Sequence, residues 1–286
     1  MISNGKFYES QFEEATIELL REAHWQYAFG DDIHRKYTDP LIEEDLRNFL
    51  AVQYKDKNLT TSEMDSIVAN LRNTGGQNDY YALRNTFLLY RDGYDFAYSD
   101  GRSNPFRLEY IDFEHPDHNI FRCVNQFVME QGRENRRPDI LLFINGIPVC
   151  IIELKNPTKQ NATIHDAHTQ ICTRYMRDIP ALLKYCALAV ISDGAKNALG
   201  ATYTPFEFFY EWKKIENEDK AGKGLDTLRT LIRGAISPER ILEILRDYVY
   251  FPDPTKEDDT TEIVCRYPQF FATRKLRDHI LNHLRS

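Results

Sequence analysis

The sequence predicts an α/β protein in which a mixed β-sheet is flanked by helices, with additional helices at both ends of the chain. Three observations lead to this fold class. Both ends of the chain carry apolar residues at helical spacing, the middle carries near-continuous apolar runs, and a helical pattern precedes one further buried run. With 286 residues, of which 42% are hydrophobic, the chain can bury a large core.

The first third of the chain is predicted to be helical. Its apolar residues recur at intervals of three and four, and Thr60 followed by Glu63 is typical of a capping box at the start of a helix. The Gly75-Gly76 pair interrupts this helical pattern. The expected helices cover about Ser10 to Tyr27, Leu41 to Tyr54 and Thr61 to Asn73, and a short helix or mixed segment covers Tyr80 to Tyr90.

The middle of the chain changes to the patterns of β-strands. Valine, isoleucine and phenylalanine are frequent here, and Asn145-Gly146 between two apolar runs indicates a hairpin turn. The expected strands cover about Phe106 to Phe113, Ile120 to Met129, Ile140 to Ile144, Ile147 to Leu154 and Cys186 to Ser192. A helix over about His165 to Arg177 should precede the last strand.

The last third of the chain returns to helical patterns. The expected helices cover about Asp226 to Arg233, Ser237 to Tyr248 and Gln269 to Arg285, with a proline-rich and acidic linker at 252–259. We therefore divide the chain into a domain of residues 1–215 and a helical segment of residues 216–286. Because the chain ends directly after its last helix, we expect it to be part of a longer protein.

Composition and charge argue against several functional classes. No stretch reaches the roughly 18–20 unbroken apolar residues of a membrane span, and the scattered cysteines indicate a reducing, cytoplasmic compartment. The net charge of -8 is unusual for a free-standing nucleic-acid binder, although basic residues cluster between Arg133 and Arg177. The spacings of His165 with His168 and His279 with His283 are interpreted as ordinary helix-face histidines.

Two acidic residues and a lysine carry the strongest chemical signal. Asp139 follows Pro138, and Glu153-Leu154-Lys155 begins after 13 intervening residues. Hydrolysis of a phosphodiester needs a hard divalent cation, and Mg²⁺ is commonly held by one or two carboxylates. A lysine beside the metal can orient or help deprotonate the attacking water. The pattern predicts a magnesium-dependent nuclease site with Asp139, Glu153 and Lys155 as its catalytic residues.

This site makes a demand on the hairpin that joins the two apolar runs. Glu153 and Lys155 point to one face of a strand because they stand two residues apart. A regular two-residue Asn145-Gly146 loop would pair Asp139 with Ile152 and place the two carboxylates on opposite faces. The hypothesis therefore predicts a three- or five-residue connection, or a β-bulge. The competing interpretation is that these residues are ordinary charges at strand ends.

The segment from Asn135 to Pro157, NRRPDILLFINGIPVCIIELKNP, resembles the PD-(D/E)xK nuclease core of type I restriction enzyme R subunits. Several other segments are similar to that family in the same order along the chain. They are Gly30-Asp31-Asp32-Ile33, Arg177-Asp178-Ile179-Pro180, Val190-Ile191-Ser192-Asp193-Gly194, Ser237-Pro238-Glu239-Arg240, Tyr248-Val249-Tyr250-Phe251 and Tyr267-Pro268-Gln269-Phe270-Phe271-Ala272. The resemblance covers nearly the whole chain and implies a restriction-endonuclease-like core with the metal site at one edge of the sheet.

The resemblance also implies roles for individual residues. Asp139, Glu153 and the backbone carbonyl of Leu154 would bind Mg²⁺, for which Mn²⁺ would substitute. The family carries a glutamine and a tyrosine four residues apart on the helix after the core, and these support DNA handling. Here Gln170 and Tyr175 stand five apart, and Arg174 occupies the expected tyrosine position. Arg137 joins this group as a DNA-supporting residue.

A glutamate on the first helix often lies near the metal in this superfamily, and two neighbours compete for that role. Glu13 shares its helical row with Ile17 and Leu20, whereas Glu14 shares its row with charged residues. We therefore favour Glu13 as an additional metal-site residue. The alternative is that it is an exposed acid near the start of a helix.

The resemblance further implies partners that this chain does not contain. The complete subunit would use ATP, but no phosphate-binding G-x-x-x-x-G-K-[ST] loop occurs here. Gln269 resembles a glutamine that contacts adenine at the entrance of the motor. The expected partners are double-stranded DNA and the methyltransferase and specificity subunits. Two alternatives remain open, namely a standalone nuclease with the same core and a non-catalytic docking domain for DNA or protein.

Overall fold

The computed structural model describes residues 4–155, 163–216, 222–252 and 260–284, with side chains from Ser10 onward. Short apolar segments in the middle of the chain form most of its strands. The strands are β1 (Gln26–Phe29), β2 (Tyr94–Phe96), β3 (Phe106–Leu108), β4 (Phe121–Asn125), β5 (Met129–Gln131), β6 (Glu134–Arg136), β7 (Ile140–Ile144), β8 (Ile147–Leu154), β9 (Leu188–Ser192), β10 (Asn197–Ala201), β11 (Val249–Tyr250) and β12 (Ile263–Val264).

Helices precede and follow this sheet region, as the periodicity predicts. They are α1 (Asn4–Glu22), α2 (Glu43–Gln53), α3 (Thr61–Asn73), α4 (Asp79–Asp92), α5 (Ile164–Thr169), α6 (Met176–Asp178), α7 (Pro180–Leu183), α8 (Leu225–Leu231), α9 (Pro238–Asp247) and α10 (Tyr267–Leu284). The predicted capping box of Thr60 and Glu63 is confirmed at the start of α3. None of the helices in the described ranges has the length and apolar character to cross a membrane.

Six of the strands form one mixed sheet in the order β1-β4-β7-β8-β9-β10. The β1–β4 and β8–β9 pairs are parallel, and the other three pairs are antiparallel. This confirms the α/β class and the mixed sheet. Asp139 directly precedes β7 and Glu153 lies in β8, so both stand at one end of the two central strands of the sheet.

Both faces of the central strands are covered, which explains their uninterrupted apolar sequence. Ile140, Leu142 and Ile144 face the larger of two buried clusters, while Leu141 and Phe143 face the smaller one. A strand that is buried on both sides has no face on which polar residues are favourable. Residues of α1, α8 and α9 all contribute to the larger cluster. The division of the chain after residue 215 stays a prediction.

The first helix ends earlier than predicted, at Glu22 rather than near Tyr27. His24 adopts a left-handed backbone conformation, with φ at 73°, which helical geometry does not allow. The following residues, Gln26–Phe29, form the edge strand β1 beside β4. Periodicity missed this strand because its residues are mostly exposed and too few to show an alternating pattern.

Two of the predicted strands are shorter than expected. The strand predicted over Phe106 to Phe113 ends at Leu108, and the strand predicted over Ile120 to Met129 ends at Asn125. Gln126 ends the latter because its φ is 55°. Apolar residues follow the last residue of each of these strands because they pack into the core from turns. In a turn, a run of hydrophobic residues does not indicate a strand.

The β7–β8 hairpin combines a tight turn with a bulge. Ile144 pairs with Ile147, so the connection is the two-residue turn Asn145-Gly146, in which both φ angles are positive. The register then shifts between Leu142 and Phe143, because Phe143 pairs with Pro148 whereas Leu142 pairs with Cys150. The extra residue in β8 supplies the bulge that the metal-site hypothesis requires. Of the predicted alternatives, the bulge is therefore confirmed.

Gly146 allows α2 to approach the hairpin turn. Its φ is +75°, its carbonyl accepts a hydrogen bond of 2.9 Å from the Ile42 N–H, and an added Cβ would lie 2.1 Å from the Ile42 carbonyl oxygen. We expect Gly146→Ala to lower the free energy of unfolding by about 3 kcal/mol, since the left-handed conformation costs roughly 1–2 kcal/mol and overpacking adds roughly 1–3 kcal/mol. Urea denaturation measures this loss.

Gly132 provides the matched control for that substitution. Its φ is +62°, but no heavy atom lies within 4 Å of an added Cβ. Gly132→Ala should therefore cost only the roughly 1–2 kcal/mol of the backbone conformation. Equal losses in the two variants would contradict the proposed close approach of Ile42 to the turn.

Candidate active site

The bulge brings the two predicted carboxylates into register. Ile140 pairs with Ile152 beyond the bulge, so the next position along each strand places Asp139 opposite Glu153. Directly paired residues project from the same face of an antiparallel sheet. The Asp139 Oδ2 atom also accepts a hydrogen bond of 2.7 Å from the backbone N–H of Leu154. Asp139, Leu154 and Glu153 thus lie together at the same ends of the two central strands.

The Glu153 carboxylate is almost completely buried, with 1% of the residue exposed. Its Oε1 atom accepts a hydrogen bond of 2.8 Å from Lys155 Nζ. Its Oε2 atom is buried and has no hydrogen-bond partner of normal geometry among the described residues. A buried acceptor without a donor is unfavourable unless a cation or an ordered water satisfies it. This carboxylate is therefore arranged to receive a positive ligand.

The pKa of Glu153 is raised to about 8. Burial is the largest cause, and the neighbouring charge of Asp139 raises the pKa further. Lys155 and the Tyr175 hydroxyl act in the opposite direction without compensating for these two effects. In the metal-free protein, Glu153 consequently holds its proton near neutral pH, and a bound cation would favour its release.

Lys155 belongs to a chain of polar contacts that leads from the sheet to the following helix. Its Nζ atom also donates a hydrogen bond of 2.5 Å to Gln170 Oε1, and Gln170 Nε2 donates one of 2.6 Å to the Tyr175 hydroxyl. That hydroxyl in turn lies 3.5 Å from the carbonyl oxygen of Arg137, to which it donates. The structure therefore brings Gln170 and Tyr175 together with Lys155.

The helical segment that carries Gln170 and Tyr175 is not a regular α-helix. Gln170–Tyr175 is π-helical and joins α5 to α6. In a π-helix the hydrogen bonds connect residues five apart, so one turn carries Gln170 to Tyr175 rather than to Arg174. Arg174 is exposed instead. The five-residue spacing of the glutamine and tyrosine was the signal in the sequence for this wider turn.

Some of the basic residues around the motif are already held in ion pairs, so fewer of them can bind a ligand than their clustering suggests. Arg136 donates to Asp178 at 2.7 Å and to Glu134 at 2.5 Å, so ion pairs already hold it. Arg177 donates to the same Asp178 carboxylate, at 2.6 Å. The side chain of Arg137 is exposed beside Pro138 and Asp139. Arg137 is thus exposed directly beside the candidate carboxylate Asp139.

Glu13 lies at the same end of the sheet. Its Oε1 atom accepts hydrogen bonds from Asn125 Nδ2 at 2.7 Å and from Gln126 Nε2 at 3.1 Å. Asn125 pairs with Ile140, the residue after Asp139. Glu14 is exposed, so the preference for Glu13 over Glu14 agrees with the burial of the helix. Sequence reasoning missed the two amides, although Asn125-Gln126 is a polar pair inside an otherwise apolar segment.

Comparison with known proteins identifies the family of the chain. A family model described as the type I restriction enzyme R protein N terminus matches residues 6–208.

This chain belongs to that family.

Two relatives of this R-protein N-terminal domain extend the match to 94% of the chain. The HindI type I restriction enzyme endonuclease subunit of Haemophilus influenzae is 29% identical to it. The putative MjaIXP type I restriction enzyme endonuclease subunit of Methanocaldococcus jannaschii is 27% identical. The chain spans only about a quarter of these relatives, 26% and 27% of their lengths.

Gln269 of the R-protein domain is far from Asp139 and Glu153 in the sequence and contacts a different set of residues. It stands in the first turn of α10, where its Oε1 atom accepts a hydrogen bond of 2.9 Å from the Arg266 N–H. It lines a cavity of about 460 Å³ together with Phe208, Tyr210 and the buried Glu262.

Residues 156–157 of the motif and the acidic linker at 253–259 lie outside the described residues.

Proposed function

We propose that this domain is a magnesium-dependent endonuclease that hydrolyses DNA phosphodiesters, with Asp139, Glu153 and Lys155 as its catalytic residues. The observation that carries the proposal is the bulge in the β7–β8 hairpin. A bulge interrupts the ladder of hydrogen bonds and needs a compensating reason. Here it turns two carboxylates and a lysine toward one face at the ends of otherwise apolar strands.

The donor set suits Mg²⁺ or Mn²⁺. Both ions prefer oxygen ligands, and Asp139, Glu153 and the carbonyl of Leu154 would supply them. The unsatisfied Oε2 atom of Glu153 supports this assignment, since a cation would satisfy it. When bound, the metal supplies Lewis-acid activation of water and neutralises charge on the phosphate. Glu13 would contribute as a further acid, held in place by Asn125 and Gln126.

Lys155 would orient the attacking water and stabilise the negative charge that develops on the phosphate. For this its ammonium group must keep a constant position. Glu153 and Gln170 hold it from two sides, and Tyr175 restrains Gln170 in turn. Gln170 and Tyr175 are thus proposed as positioning residues, whose effect on cleavage passes through Lys155.

DNA would bind without base recognition. Arg137 and Arg174 are exposed and would contact phosphate oxygens, and such contacts position a duplex without reading its sequence. In the complete protein, we propose that specificity and methyltransferase subunits supply recognition and modification. ATP would drive a motor outside this chain, with Gln269 at the adenine.

The metal assignment is tested by titrating Mn²⁺ into the 286-residue chain and following the binding heat. Asp139→Asn should weaken the tightest Mn²⁺ binding at least tenfold, because it removes one of two carboxylates from the ion. Asp95→Asn is the matched control, since Asp95 is an exposed acid that pairs with Arg107 at the surface. Unchanged Mn²⁺ affinity in Asp139→Asn would rule out the proposed ligand set.

The two alternatives make different predictions. A standalone nuclease would share the metal site, but no motor sequence would follow residue 286 in its gene. A docking domain without catalysis would tolerate the loss of Lys155. The raised pKa of Glu153 and its Oε2 atom, which has no hydrogen-bond partner among the described residues, favour the nuclease, because a docking surface gains nothing from burying a carboxylate with only one oxygen paired.

A further inference from the structure

A second group of metal-ligating side chains lies in the loop before β4. Asp112, His115 and His118 each offer a ligand atom, and these atoms all lie within 4.8 Å of one another. His115 Nδ1 is 3.3 Å and His118 Nδ1 is 2.9 Å from the Oδ2 atom of Asp112. The two imidazole rings are stacked with their centroids 4.8 Å apart. Both rings therefore present the same nitrogen to one carboxylate oxygen.

Hydrogen bonding alone explains this convergence poorly. Asp112 Oδ2 also accepts a hydrogen bond of 3.1 Å from Gln53 Nε2, so three nitrogens surround one oxygen. A carboxylate oxygen has about two lone-pair sites. A cation bound between the two Nδ1 atoms and the carboxylate would remove this excess of donors around Oδ2. Both histidines would then bind the metal through neutral nitrogen lone pairs rather than compete as hydrogen-bond donors.

The separations suit a four-coordinate ion. With bonds of about 2.0–2.1 Å, neighbouring ligand atoms of a tetrahedral zinc site lie about 3.3 Å apart. The two nitrogen–oxygen distances of 2.9 and 3.3 Å are close to that value. Small rotations of the histidines, whose side chains are 63% and 48% exposed, would complete the geometry.

Hydrogen bonds from the loop backbone already fix the position of the Asp112 carboxylate without a metal. Asp112 is 4% exposed, and its Oδ1 atom accepts hydrogen bonds from the backbone N–H groups of Glu114 and His115 at 3.0 and 2.9 Å. Asn119 closes the loop by donating to the carbonyl oxygens of Asp112 and Pro116. Such outer contacts orient metal ligands and reduce the ordering that binding requires.

We propose that Asp112, His115 and His118 bind a transition-metal dication, with Zn²⁺ as the ion that fits best. Two imidazoles and one carboxylate favour Zn²⁺ and its neighbours over Mg²⁺, which prefers oxygen ligands. The fourth position is left for water. The ion ties the 112–118 loop to α2 through the contact of Gln53 with Asp112.

This site is separate from the nuclease site. Asn119 and Ile120 contact the hairpin turn residue Asn145, which lies at the opposite end of β7 from Asp139. The five residues of β7 separate the turn residue Asn145 from Asp139, a distance of roughly 20 Å. An ion here cannot touch the scissile phosphate, so its role is to stabilise the loop and its contact with the hairpin turn.

Zinc titration of the full chain, followed by calorimetry, tests the proposal. The double variant His115→Ala/His118→Ala should lose one zinc equivalent or bind it at least tenfold more weakly. The matched control is His279→Ala/His283→Ala, because these stacked histidines on α10 are another exposed pair. The control should keep the zinc equivalent that the first variant loses.

Thermal unfolding gives a second readout. Zinc should raise the melting temperature of the native chain and of the control, but raise that of His118→Gln much less. Glutamine can still donate to Asp112, so this variant separates loss of metal from loss of a hydrogen bond. Zinc binding of the same affinity and stoichiometry in His115→Ala/His118→Ala and in the native chain would overturn the proposal. No zinc binding by the native chain at 100-fold excess would also overturn it.

Discussion

Lys155→Ala is expected to reduce DNA cleavage by about 10²–10⁴-fold, the range typical of a residue that assists proton transfer. Manganese affinity should stay within about tenfold of the native value, because Lys155 is not among the proposed metal ligands. The physical reason is that Lys155 contacts Glu153 and Gln170 and so acts on water and phosphate rather than on the ion. The separation of cleavage from metal binding is the diagnostic result.

The measurement uses the complete subunit, in which DNA is delivered to the site. Restriction of unmodified phage by cells is compared for Lys155→Ala, for Asp139→Asn, and for Lys196→Ala as the control. Lys196 is an exposed lysine in the turn between β9 and β10, so its loss should leave restriction unchanged. Asp139→Asn should lose both metal affinity and restriction. Undiminished restriction with Lys155→Ala would instead favour the docking-domain alternative.

Glu153→Gln is expected to stabilise the metal-free protein, by an amount that grows with pH. The pKa of Glu153 is about 8 in the folded chain against an ordinary value of 4.5. Between these two values the unfolded chain has released a proton that the folded chain still binds, so the native stability falls as pH rises. The slope approaches about 1.4 kcal/mol per pH unit for one group. Glutamine cannot ionise and so removes this loss.

Melting temperatures in chelator at pH 5, 6, 7 and 8 test this prediction. The advantage of Glu153→Gln should widen by several degrees across the series, at roughly 2–4 °C per kcal/mol for a domain of this size. Glu14→Gln is the control, since Glu14 is an exposed acid on α1. Magnesium at pH 8 should raise the native melting temperature and leave Glu153→Gln almost unaffected. A pH-independent difference would contradict the raised pKa.

Local patterns in the sequence were sufficient for much of the fold and for the choice of candidate residues. The capping box at Thr60 and the apolar runs of β7 and β8 act over a few residues, so their physical effects can be recognised without knowledge of the rest of the chain. The same holds for the spacing of Glu153 and Lys155, which places them on one face of any strand.

Short elements and irregular turns were beyond that reasoning. The strands β1 and β10 were not predicted, and β3 was predicted too long. Strands of three to five residues exist because a neighbour offers a row of hydrogen-bonding groups, and that neighbour lies elsewhere in the sequence. Propensity carries little information about such segments, since context decides their conformation.

The sequence by itself determined which residues could form a nuclease site and which condition the hairpin had to meet. The tertiary structure decided how that condition is met. The close approach of Ile42 requires glycine at position 146 of the tight turn, and the bulge in β8 restores the pairing of Asp139 with Glu153. The π-helical turn likewise brings Tyr175 to Gln170. One extra residue in a strand or a turn shifts the register of all the residues that follow it. Packing against the rest of the molecule decides whether that extra residue is present in the pairing.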